Sequence, residues 1–329
     1  MVKKKDNFDE IVPELEMSEE LQNKVEEIIT SLKQEVPYPW HENNKNIIPI
    51  DVSVDNGTIR VLHIKPDKPI SKRPVVFVSG WGSTPVTFQD FYKIVHNRLE
   101  FFYVETREKE TSKLQRFKAD MSISQKAKDV QRVIDYLDLA SNDFVLLGAC
   151  WGGSIILQGL LEKTIKAPTL IVFDPMHYFW YNNFIIKYLI RFLPTFTFYI
   201  LRPILKFFAL RGMKEKVQRQ RLETLIAAAV PWKWRKAALA SKDFEVLGKL
   251  HQIQEEVFVV NGTTDKVHDQ RNYPIMTKKI PNGRFIFLKT HESNREFMMG
   301  TTALEFSKIE KANGVPPNLA DFEKKLIRN

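Results

Sequence analysis

Cysteine is almost missing from this sequence: Cys150 is the only one in 329 residues. That excludes an intramolecular disulfide and suits a reducing compartment. Glycine is sparse as well, 13 in all, so Gly148, Gly152 and Gly153 within six residues form a conspicuous cluster. No uncharged apolar window reaches the roughly 18 residues of a membrane-spanning helix. The first residues, MVKKKDNFDEIVPELEM, are charged and lack the apolar stretch of a secretory signal. The expected localisation is cytoplasmic, with membrane association as the alternative, and neither a metal nor a cofactor is expected. What is present is a globular composition, 43% hydrophobic and 27% charged, with a formal net charge of +9. Such a balance fits nucleic acid, an anionic membrane surface or an anionic substrate, and the location of the charge has to decide among them.

Apolar patterning divides the chain. Residues 1–45 read as an N-terminal helical extension, with Ser18 capping a helix to about Lys33 whose Leu21, Val25, Ile28, Ile29 and Leu32 share one face. From Asn46 to Pro66, alternating residues flank Asn56-Gly57, which predicts a β-hairpin with a tight turn. Short continuous apolar runs follow: Val75–Val78, Phe101–Val104, Phe144–Leu147, Thr169–Phe173, Val257–Val260 and Phe285–Leu288. Helical stretches separate them, near Val86–Arg98, Ser122–Leu139, Trp151–Leu161, Asn272–Lys279 and Asn294–Lys311. Strands apolar on both faces belong between helix layers, so the expected class is α/β, with a mostly parallel central sheet and an antiparallel hairpin leading into it. About eighty residues between Phe173 and Val257 contain no strand. The expected organisation is a core of 46–174 and 256–312, a helical lid or cap insertion over 175–255, and a C-terminal tail of 313–329.

Residues 144–153 read Phe-Val-Leu-Leu-Gly-Ala-Cys-Trp-Gly-Gly and are followed by an apolar helical segment. This strand–turn–helix pattern is a nucleophile elbow with cysteine in the place usually held by serine. Gly148 and Gly152 flank the nucleophile where a sharp turn leaves no room for side chains, and Gly153 continues the helix start. A helix N-terminus favours thiolate, and the N–H of Trp151 points where an oxyanion would form. The bland alternative is a buried cysteine in a Gly-rich turn. A cysteine nucleophile needs a base and an orienting acid in later loops. His291, after the Phe285–Leu288 strand, and Asp265, after the Val257–Val260 strand, stand in the required order. Asp174 and Asp269 are alternative acids, and His177 at the start of the insertion is a further candidate to face the pocket. Ser79-Gly-Trp-Gly82, after Val75–Val78, offers the Trp81 N–H as the second oxyanion donor.

These residues resemble the α/β-hydrolase superfamily from about Asn46 to Lys311. Ser79-Gly-Trp-Gly82 is similar to its His-Gly oxyanion loop, and Glu105–Ser112 keeps the spacing of its Asp-x-Arg-Gly-x-Gly-x-Ser segment with both glycines lost. Gly148-x-Cys150-x-Gly152-Gly153 resembles the nucleophile motif of polyhydroxyalkanoate synthases and, less closely, of dienelactone hydrolases. The resemblance implies a Cys-Asp-His triad and, for the synthases, hydroxyacyl-CoA as substrate.

Cysteine also constrains the substrate. A thiolate leaves a tetrahedral intermediate far better than an alkoxide does, because the conjugate thiol has a pKa of about 8.5. Attack on an ordinary ester therefore tends to reverse, whereas exchange with a thioester is nearly isoenergetic. The leading expectation is an acyltransferase or thioesterase acting on an acyl thioester with an apolar chain. The alternatives are a carboxylesterase or lipase-like hydrolase with Cys for Ser, and a non-catalytic binding protein on the same fold.

The insertion explains the charge. Pro175–Lys214 has no Asp or Glu but six basic residues, Lys187, Arg191, Arg202, Lys206, Arg211 and Lys214, and seven of the 23 phenylalanines. It reads as a lid over an apolar pocket, able also to rest on an anionic membrane or lipid surface, or to form an oligomer interface. Pro231-Trp-Lys-Trp-Arg-Lys236 reads as a lid helix, and nucleic acid is not an expected partner.

Overall fold

The computed structural model describes residues 15–36, 46–179, 188, 190–211, 216–262, 269–290, 294–310 and 314–327. Helix α1, Glu19–Leu32, starts at Ser18, whose hydroxyl accepts from the N–H of Leu21 at 3.3 Å, and buries Val25 and Ile29. Strands β1, Ile47–Val54, and β2, Gly57–Ile64, pair antiparallel around Asn56, where φ is 65°, and Gly57, where φ is 155°.

The chain continues through β3 (Val75–Val78), α2 (Gln89–Val95), β4 (Phe101–Val104), β5 (Lys113–Leu114), α3 (Ile123–Tyr136), β6 (Val145–Ala149), α4 (Trp151–Leu161) and β7 (Thr169–Phe173). After the insertion, with α5 (Thr195–Leu210), α6 (Lys216–Ala227) and α7 (Pro231–Ser241), come β8 (Val257–Asn261), α8 (Asn272–Lys279), β9 (Gly283–Phe287), α9 (Arg295–Lys308) and β10 (Glu323–Lys324). The ten strands of the described residues form one mixed sheet in the order β1-β2-β4-β3-β6-β7-β8-β9-β10, with β5 on β2. From β4 to β9 every pairing is parallel. Strands β3, β4, β6, β7 and β8 are buried at every residue, which explains their unbroken apolar runs.

The strand order reverses between β3 and β6: the chain leaves β3 toward β4 on one side and returns to β6 on the other. The loops after β3 and β6 therefore diverge over the carboxyl edge of the sheet and open a crevice there. Residues 79–83 follow β3, and Cys150 follows β6.

Several boundaries differ from the sequence reading. The strand expected at Phe144–Leu147 runs Val145–Ala149, so Gly148 lies inside it. The helix expected over Val86–Arg98 is a 3-10 turn, Pro85–Phe88, followed by the short α2. The C-terminal segment is docked: Leu319 and Phe322 are buried, and β10 adds antiparallel to β9, where Arg284 holds Glu323 through Nε at 2.7 Å. A strand of two residues has no periodicity to read. Pro203 does not end α5, which runs through it although proline removes one ladder donor.

Candidate active site

Cys150 joins β6 to α4 at φ 50° and ψ −114°. Positive φ in a non-glycine residue costs on the order of 1–3 kcal/mol and persists only where its surroundings enforce it. Here they do. The Cys150 N–H donates to the Phe173 carbonyl at 2.8 Å, and its carbonyl accepts from the Ser154 N–H at 3.2 Å. A Cβ on Gly152 would lie 2.0 Å from the Val78 carbonyl oxygen, and one on Gly148 would lie 2.7 Å from the Gly152 backbone. Only glycine lets β3, β6 and α4 approach this closely. Gly153 has slightly more room, 3.0 Å from Pro175. Trp151 is the first residue of α4, so its N–H belongs to the turn that has no intrahelical acceptor.

The loop after β3 faces the elbow. A Cβ on Gly80 would stand 3.6 Å from that of Cys150. Ser79 Oγ donates to the Val104 carbonyl, and the Ser83 N–H donates to the Gly80 carbonyl, closing a turn. Lys109 Nζ donates to the same Gly80 carbonyl from beneath. The Trp81 ring packs edge-on against Trp151 with centroids 5.8 Å apart, and against Phe179 and Trp234 from the insertion.

Beside this loop lies a buried charge cluster in the segment Glu105–Ser112. Glu108 pairs with Lys126 at 3.0 Å and accepts from Thr106 Oγ1 at 2.6 Å. Burial would raise the Glu108 carboxyl, but Lys126, Lys109 and Thr106 hold it at about 2. Burial pushes Lys109 down to about 8, against the pull of Glu108 and Glu105. Lys126 Nζ also sits 4.8 Å from the Trp81 ring centroid and 6.0 Å from that of Trp151, a cation–π pair under both tryptophans.

Cys150 opens on a cavity of about 140 Å³, smaller than the ~300–1,000 Å³ of most ligand pockets. Its lining includes the apolar Phe88, Met176 and Phe179 and the charged Arg295 and Glu296. Among the described residues the lining is therefore mixed rather than wholly apolar. Arg295 is the residue that sequence reasoning missed. Its Nε donates to Asp174 Oδ2 at 2.6 Å, and its Nη2 is buried without a hydrogen-bond partner among the described residues. Burial would lower its pKa, but Asp174, Glu296 and Cys150 together raise it, so a fixed positive charge stands beside the thiol. Glu296 continues the network to Arg221 at 2.7 Å, and Arg221 reaches Asp90 at 3.1 Å. The only signal in the sequence was an Arg-Glu pair four residues past His291.

The two alternative acids are both engaged. Asp174, at φ 47° and fully buried, accepts from Asn261 Nδ2 at 2.7 Å and the Gly262 N–H at 3.1 Å as well as from Arg295. Asp269 lies at the surface and chelates the Arg271 guanidinium through both oxygens. Asp265 and His291 lie outside the described residues. The stems of their loops are described, and they lie side by side: the Thr290 N–H donates to the Gly262 carbonyl at 3.2 Å. His177 does not line the cavity among the described residues. It is buried beside Tyr178, and burial, opposed by Glu245, pushes it down to about 4.

This sheet order, with a strained residue after the strand at the switch point and helices on both faces, is the α/β-hydrolase fold. Among solved structures the chain is similar to an esterase from Exiguobacterium antarcticum, at 18% identity and a TM-score of 0.64, over 80% of this chain and 100% of that one. It is similar also to the enol-lactonase from Burkholderia xenovorans LB400, at 13% identity and a TM-score of 0.59, over 78% and 99%. A membrane phospholipase A aligns at 14% identity and a TM-score of 0.56, over 87% and 91%. At these identities the likeness is one of fold. No known protein family and no curated protein matches the sequence.

Proposed function

We propose that the protein is an acyl-transfer enzyme in which Cys150 is the nucleophile, His291 the general base and acid, and Asp265 the residue that orients His291. The substrate class is an acyl thioester, with the backbone N–H groups of Trp81 and Trp151 as oxyanion donors. The thiolate attacks the acyl carbon and forms the C–S bond. The oxyanion collapses, and the departing thiolate takes the proton that His291 received from Cys150. Water, or an alcohol or amine acceptor, then gives up a proton to His291, attacks the acyl-enzyme and releases Cys150.

The observation that carries this reading is the strained Cys150 at the switch point, opening on the cavity beside the Arg295 guanidinium. A buried cation at that position favours thiolate over thiol. With Asp174 already bonded to three donors, Asp265 is the better candidate to orient His291. The second reading is a carboxylesterase in which Cys replaces Ser. It is supported by neighbours that are themselves described as esterases.

Intact mass after incubation with a panel of acyl-CoAs and nitrophenyl esters tests the proposal. An acyl adduct is expected with the thioesters and absent in Cys150→Ala. A label that survives in Cys150→Ala rejects Cys150 as nucleophile. Equal labelling by oxygen esters selects the esterase reading. No adduct and no turnover with either class leaves a binding protein.

A further inference from the structure

Among the described residues thirteen large hydrophobic side chains are exposed, and eight of them fall between Tyr188 and Phe207. On α5, Phe196, Ile200 and Ile204 recur every four residues on one stripe, at 61%, 66% and 52% exposure, with Tyr199 beside them. Phe192 extends the stripe at 72%. The helix packs on α6 and α7, leaving this stripe outward. The charge on the same segment has one sign: Arg191, Arg202, Lys206 and Arg211 are present, and Pro175–Lys214 holds no acid. From the packed elements, the acid that reaches it is Glu223, 3.5 Å from Lys206.

A separate part of the chain adds to this surface. Arg116 donates to Thr195 Oγ1 at the first residue of α5, at 3.3 Å, and its neighbour Phe117 is 92% exposed between Arg116 and Lys118. Two segments remote in sequence thus present bare aromatics framed by cations at one place.

We propose that the outer face of α5 and the tip at Arg116–Lys118 dock on an anionic lipid bilayer. Large apolar side chains partition into the acyl boundary while Lys and Arg meet lipid phosphates, and each cation near such a surface strengthens binding about fivefold. The occupant is a bilayer rather than a second copy, because a copy would bring the same cations to a face whose acid, Glu223, is already paired with Lys206 and Arg219. The surface does not include Cys150, so the proposal stands whatever the chemistry at that residue.

Flotation with vesicles of phosphatidylcholine and about one-quarter phosphatidylserine tests it. The full chain is expected to float with them and to bind pure phosphatidylcholine at least about tenfold less. Phe196→Ser/Ile200→Ser/Ile204→Ser should lose at least about tenfold in partitioning at an unchanged melting temperature, and Arg191→Gln about fivefold. No flotation of the native chain overturns the proposal, as does equal flotation of the variants. A native dimer in light scattering that the triple variant makes monomeric also overturns it, and assigns the face to self-association.

Discussion

Helices α5 and α7 are built from the same materials. Both are rich in aromatic and basic residues, and neither contains an acid. In α7 every described cation of the Trp-Lys-Trp-Arg-Lys run is used on backbone oxygen. Lys233 Nζ donates to the carbonyls of Lys109, Glu110 and Ser112, at 2.6, 3.2 and 2.5 Å. Lys236 reaches those of Arg116, Phe117 and Ala119, and Arg235 those of Leu193 and Arg191. Trp234 is pressed against Gly82, where φ is 61° and an added Cβ would stand 2.4 Å from the indole. In α5 Arg202 reaches the Ala229 carbonyl at 2.9 Å, but Phe196, Tyr199 and Phe207 face outward. Composition therefore does not tell a clamp from a docking face; the acceptors within reach do.

The contrast can be broken most forcefully at Lys233. Lys233→Met leaves three carbonyls without their donor and is expected to cost about 3 kcal/mol or more, read as a lower urea midpoint at unchanged slope. Next in size, Gly82→Ala should cost about 2 kcal/mol through positive φ and the clash with Trp234, and Trp234→Ala a comparable amount by losing packing. The double variant should be more stable than the sum of the two predicts, since truncating the indole removes the clash; strict additivity would show that Gly82 and Trp234 do not interact.

A smaller, pH-dependent effect follows from the Lys233 ammonium, which burial pushes down to about 8 although Glu108 and Glu110 oppose it. Between about pH 8 and the ordinary lysine range the unfolded chain binds more protons at this site than the folded one. Stability from this group therefore rises with pH. The melting-temperature gap between the native chain and Lys233→Met should widen from pH 8 to pH 10, and a constant gap would contradict the assigned proton. Smallest of all, the α5 triple serine variant should change stability by no more than about 0.5 kcal/mol, because its side chains are already in solvent.

The parts of the fold legible in the sequence were those encoded locally. Asn56-Gly57 announced the hairpin because its turn demands positive φ, and Gly148 and Gly152 announced the elbow because two strands and a helix meet there. The parallel core was legible because strands covered on both faces are apolar throughout. The electrostatics of the site were not. Arg221 meets Asp90 across 131 residues, and Arg295 meets Asp174 across 121. Fully buried Lys126 and Glu108 look like ordinary surface residues until each is seen to neutralise the other. Glu108 stands where the resembled segment carries glycine, and in the structure it is one half of a buried ion pair with Lys126.

The Lys233 clamp bears on how such a protein could be dissected or evolve. Chain segments inserted between two strands of a sheet are often treated as detachable modules, exchanged while the host stays intact. Here the carbonyls that Lys233 satisfies belong to the host, in the same stretch whose Lys109 supports the Gly80 turn opposite Cys150. Excising the segment between β7 and β8 would remove the donor that satisfies the carbonyls of Lys109, Glu110 and Ser112. Lys233 thus ties α7 to the stretch 109–112 through three backbone acceptors, and a change on either side of that contact bears on the other.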